Sequence, residues 1–129
     1  MKRLRQSSAL AIAFVLGSVS ASHAVSTLST ALVFRSNRTF ECAVVNTGKK
    51  SATVTIQALN AIGAAEGELA AQVIPPGHAS ILAVPPVTGS PYFYCKFTLI
   101  AGKKAALRGS YCVHVDEVGT RCGASGDAR

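Results

Sequence analysis

One run of eight residues constrains this chain more than any other: Tyr92-Phe93-Tyr94-Cys95-Lys96-Phe97-Thr98-Leu99 alternates strictly, with a cysteine on its apolar face. Phe93, Cys95, Phe97 and Leu99 point one way, and Tyr92, Tyr94, Lys96 and Thr98 point the other. Alternation of this length specifies a half-buried β-strand, because successive side chains of a strand leave opposite faces. A strand with one apolar face needs a second layer to bury it, so the rest of the chain must supply one.

Further strands are readable on both sides. Leu28 to Phe34 gives a first one, followed by the polar turn Arg35-Ser36-Asn37-Arg38. Phe40 to Asn46 is next, with Phe40, Cys42 and Val44 on one face and Glu41 on the other. Ala52 to Leu59 follows, with Val54, Ile56 and Ala58 inward and Thr53, Thr55 and Gln57 outward. The intervening Asn46-Thr47-Gly48-Lys49-Lys50 is turn chemistry, and two strands so joined read as a hairpin. Asn60 to Glu68 reads as a loop because Gly63 and Gly67 interrupt it. Leu69 to Ile74 and His78 to Val84 are short strands, each ended by a proline pair that cannot continue a ladder. Ala105 to Val115 is the last strand, after the turn Ala101-Gly102-Lys103-Lys104. Seven short strands at this spacing predict an all-β antiparallel sandwich over residues 25–118, with a loose Gly-rich tail over 119–129.

The first segment stands apart from that pattern. Lys2, Arg3 and Arg5 precede the uncharged apolar run Ala9 to Val19, and Ser22-His23-Ala24 supplies small residues at a cleavage position. Residues 1–24 therefore read as a secretory signal peptide, too short for a comfortable membrane span. No later segment is long and apolar enough to span a bilayer. From Val25 onward ten basic residues face six acidic ones, a net +4 rather than the +7 of the whole chain. That balance is mild and does not call for a nucleic-acid partner. The exported part would be periplasmic or secreted, and all four cysteines lie in it, which points to disulfides. Asn37-Arg38-Thr39 matches a glycosylation sequon, expected to be unused because the signal looks bacterial.

The layout resembles an immunoglobulin-like domain over about Leu28 to Val118, with Cys42 on the second strand and Cys95 on the sixth. Such domains place their inter-sheet bridge there. The chain has no tryptophan, and Phe93 rather than tyrosine stands two residues before Cys95. It is also similar to small, uncharacterised bacterial exported sandwiches through Cys42-Ala43-Val44-Val45-Asn46-Thr47-Gly48, a resemblance that implies no activity. Strand faces rank the cysteine pairings independently. Cys42 and Cys95 both face the core, whereas Cys112 lies with Arg108, Ser110, His114 and Asp116 on the polar face of the last strand. Partners across an antiparallel pair share a face, so Cys95–Cys112 is disfavoured. The expected bonds are Cys42–Cys95 and Cys112–Cys122, the second pinning the tail to a sheet edge.

Three kinds of chemistry bear on function. Period two puts Cys112, His114 and Asp116 on one strand face, a set able to hold zinc or copper if the thiol is free. An oxidising compartment favours a disulfide beside a polar face instead, so no metal or cofactor is expected. Enzymatic motifs are missing: there is no Gly-x-Ser-x-Gly elbow, His-Glu-x-x-His helix or phosphate-binding glycine loop. The remaining signal is charge. In an immunoglobulin-like order, the turns holding Lys49-Lys50 and Lys103-Lys104 emerge at one end, with Glu66 and Glu68 in a connection at the other. A lysine-rich pole suits an anionic cell-surface polymer or an acidic protein, although lysine is also ordinary at exposed turns. Tyr92 and Tyr94 add an outward aromatic face, open for contact or covered by the tail. The expectation is a non-catalytic exported binding or structural module.

Overall fold

The computed structural model describes residues 25–35, 38–86, 91–115 and 122–129. The signal-like segment 1–24, Asn37 of the sequon and Asp116 of the metal-ligand set lie outside the described residues.

The described residues form nine strands: β1 (Ser26–Ser29), β2 (Val33–Phe34), β3 (Phe40–Asn46), β4 (Ala52–Asn60), β5 (Ala65–Ile74), β6 (Ala79–Val84), β7 (Tyr92–Ala101), β8 (Leu107–His114) and β9 (Cys122–Asp127). They build two antiparallel sheets, one in the order β1-β7-β4-β5 with β2 also on β7, the other in the order β6-β3-β8-β9. The chain is thus an all-β sandwich. No helix of the described residues is long and apolar enough to cross a membrane.

The alternating faces read from sequence meet in the middle. Phe40, Cys42 and Val44 of β3, Val54, Ile56 and Ala58 of β4, and Phe93, Cys95 and Phe97 of β7 are all buried in one core. β7 is central in its sheet, held between β1 and β4. Gly109 of β8 lies beneath Phe97: a Cβ there would come within 2.6 Å of the ring.

Several local readings change. The first strand splits in two, because Thr30 turns its hydroxyl to accept the Cys95 amide at 2.9 Å, where a continuous ladder would run straight. β3 and β4 belong to different sheets, so the Asn46–Lys50 turn is an arch between layers and not a hairpin. The loop assigned to Asn60–Glu68 is shorter: β5 begins at Ala65 and pairs with β4 from Leu59↔Ala65 to Ala52↔Ile74. Gly67 lies inside that strand, where the missing Cβ lets Val84 of β6 approach. Within the tail, Cys122–Asp127 forms a strand. β9 pairs with β8, and Ser29 and Arg129 exchange two backbone hydrogen bonds of 3.1 Å. Compared with an antibody domain, β8 pairs with β3 instead of β7, and β7 takes β1 instead.

Candidate functional site

The lysine turns are brought together by short-range chemistry around Asn46. This side chain is fully buried; its Nδ2 donates to the Lys50 carbonyl at 2.8 Å and the Ile74 carbonyl at 2.9 Å, while its Oδ1 accepts from Gly48 N–H at 2.9 Å. Its own backbone accepts from Gly77 N–H and donates to the His78 carbonyl. One asparagine therefore ties the β3–β4 arch to the end of β5 and to the Pro75-Pro76-Gly77 turn. Thr47 completes the platform: its amide and its hydroxyl both donate to the Ala106 carbonyl, at 2.8 and 2.9 Å. Ala106 ends the short 3₁₀ turn Lys104–Ala106 between β7 and β8.

Lys49, Lys50, Lys103 and Lys104 are all exposed on these two linked turns, with His78 exposed beside them. Arg108, one strand position away, donates to the Ala105 and Leu107 carbonyls and adds a fixed positive charge. Among the described residues none of the four lysines has an acidic partner. Glu66 and Glu68 lie on β5 and not in a connection; Glu66 accepts from Asn60 Nδ2 at 2.8 Å and Glu68 from Gln57 Nε2 at 2.6 Å. Because Ile74 is the β5 residue at the lysine end, both glutamates are displaced along the strand toward the opposite end. Asn46 was read as a turn residue, although the period two of Phe40, Cys42 and Val44 carries it to the inward face; its partners Lys50 and Ile74 are what the fold adds.

The bonded cysteines are Cys42–Cys95, joining the two sheets, and Cys112–Cys122, joining β8 to β9. The sulfur of Cys112 is therefore part of a disulfide. The polar face expected around it is covered: Cys112 is 8% and His114 6% exposed, and His114 Nε2 meets Glu41 Oε2 at 2.9 Å. β9 and the disulfide supply the cover that sequence periodicity could not show. Among the described residues no group of His, Cys, Asp or Glu is placed to hold a metal ion.

At the other end, Tyr92 is 45% exposed and packs edge-to-face on Phe34 at 5.5 Å, whereas Tyr94 is half-buried. The described part of the tail, β9, belongs to the other sheet. Below this corner Arg35 is buried with its guanidinium 4.2 Å over the Phe93 ring, donating to the Pro85 carbonyl. Burial pulls its pKa down, and the charge of Glu66 partly offsets that.

Fold and site together define a small β-sandwich stapled by two disulfides and crowned by lysines. No match to this chain is found among known family profiles, curated proteins or solved structures.

Proposed function

We propose that this protein is an exported, non-catalytic binding module that docks an anionic cell-surface polymer through its lysine pole. Residues 1–24 act as the signal that delivers it to an oxidising compartment, periplasmic or extracellular, where both disulfides persist. The observation that carries the reading is the Thr47–Ala106 bonding, which ties together the two turns that carry the lysine pairs. Charges held on ordered turns bind a polyanion without the ordering cost that flexible side chains on loose loops would add. Among the described residues the four lysines have no carboxylate partner, which leaves a positive field directed outward.

The test compares two variants with the same change in net charge. Lys49→Glu with Lys50→Glu is set against Lys96→Glu with Arg129→Glu, both applied to a sulfated polysaccharide matrix over a salt gradient. Loss of retention only in the first pair supports the reading, as does elution of the parent protein by salt. Equal retention in both variants, or retention independent of salt, sinks it.

A further inference from the structure

The two sides of the sandwich are finished differently. On one side the edges are tied together, because Ser29 at the end of β1 and Arg129 after β9 bond to each other across the sheets. On the other side β5 and β6 are the open edges. β5 carries the usual protection against edge pairing: a register shift between Val54 and Ile56 of its partner marks a bulge. Ala71 takes a positive φ of 47° there, and Glu66 and Glu68 add charge.

β6 carries no such protection. From Pro75 to Pro86 the chain contains no Asp, Glu, Lys or Arg, and no proline or glycine falls inside β6 itself. Its register with β3 is unbroken from Val45↔Ala79 to Phe40↔Val84. Ladder direction follows from two bonds at the end of β3: Asn46 N–H donates to His78 on the β6 side, and Thr47 N–H donates to Ala106 on the β8 side. Alternate residues of a strand bond in opposite directions. His78 through its carbonyl, and Ser80, Leu82 and Val84, therefore bond inward to β3, and the amides and carbonyls of Ala79, Ile81 and Ala83 point out along the free edge. Ile81 is 52% exposed, and Ala79 and Ala83 are exposed beside it. β5 meets β6 through its side chains Leu82 and Val84 at Gly67, and among the described residues no strand pairs with this edge.

From this placement we infer that the free edge of β6 is a docking site for β6 of a second copy of this chain, paired antiparallel about a two-fold axis at Ile81. The residue order is self-complementary about that point. Ala79 meets Ala83 of the other copy, Ile81 meets its own counterpart, and the small alanines leave room for the isoleucine pair. Lack of charge removes the like-charge repulsion that usually keeps identical edges apart. Proline pairs at each end confine the contact to this window. The contact is isologous, so it closes as a dimer and does not propagate into a fibre. Two four-stranded sheets become one of eight, and antiparallel pairing sends the two lysine poles in opposite directions.

The experiment is sedimentation of the purified, disulfide-bonded protein over a concentration series, with Ile81→Lys and Ile81→Glu. The parent protein is expected to dimerise, each variant to weaken dimerisation roughly ten-fold or more, and an equal mixture of the two to recover it through opposite charges at the axis. A parent protein that stays monomeric at its highest soluble concentration overturns the inference, as do variants that dimerise like the parent. Amide hydrogen exchange on the parent decides independently, should the variants fold poorly. Dimerisation protects the amides of Ala79, Ile81 and Ala83, whereas those of Ser80, Leu82 and Val84 are protected at every concentration. Protection of the first set in dilute monomer means that the chain covers its own edge, and the inference fails.

Discussion

At the scale of single residues, two side chains do work out of proportion to their size. Asn46 satisfies Gly48, Lys50 and Ile74 from a fully buried position, so truncation orphans three backbone groups at once. Leaving buried groups unpaired costs more than the bond itself contributed. Asn46→Ala is expected to lower unfolding free energy by about 2–3 kcal/mol, read as a shift in the urea midpoint, and to weaken polyanion retention although no lysine changes. Gly109 has the opposite character, since its value lies in what it lacks. Gly109→Ala drives a methyl to 2.6 Å from the Phe97 ring and 2.9 Å from Ala128 Cβ. Overpacking of this kind costs about 1–3 kcal/mol, measurable by thermal unfolding, with near-ultraviolet circular dichroism reporting the displaced ring.

Among the elements, the two disulfides differ in reach and so in effect. Cys42–Cys95 spans 53 positions and Cys112–Cys122 spans 10. In the chain-entropy model the first contributes about 4 kcal/mol and the second about 3 kcal/mol. Cys42→Ala with Cys95→Ala also removes two core contacts, so it should destabilise clearly more than Cys112→Ser with Cys122→Ser in equilibrium urea unfolding. The β5 bulge is a second element-level device. Ala71 adopts the left-handed conformation, with its amide donating to Thr55 Oγ1 at 3.2 Å. A β-branched side chain is poorly tolerated there. Ala71→Val is expected to cost about 1–2 kcal/mol, and Ala71→Gly to be neutral or slightly stabilising in the same assay.

For the whole molecule, the decisive feature is closure by the tail. β9 extends the second sheet and hands Arg129 to Ser29, so residues far apart in the sequence bridge the two layers. Removing that strand should cost more than removing its disulfide. A chain ending at residue 121 and carrying Cys112→Ser is expected to unfold at lower urea than Cys112→Ser with Cys122→Ser at full length. The gap between the two measures β9 pairing itself; coincident midpoints would mean that the strand adds nothing beyond the bond. Pole and free edge lie on different parts of this closed body. Polyanion binding and self-association are thus separable by mutation, and their combination would let one dimer bridge two anionic surfaces.

Much of this was legible in the residues. Alternation set β3, β4 and β7 and their inward faces, because a strand with period-two apolarity has one stable way to face a core. The same faces selected Cys42–Cys95. Turn residues located both lysine pairs. What stayed hidden depends on contacts between distant segments. A Gly-rich stretch such as Cys122–Asp127 has no apolar face of its own, and becomes a strand only because β8 offers it an open edge and Cys112 an anchor. Whether Asn46–Lys50 is a hairpin or an arch depends on which layer β4 joins, and local turn chemistry serves either. Cys112 and His114 read as polar and exposed because the cover over them comes from β9 and Glu41. The sequence by itself determined the inward faces of β3, β4 and β7; only the tertiary structure decided which strands are neighbours, what covers Cys112 and His114, and which edge remains free, since pairing energy is gained between segments that carry no local record of each other.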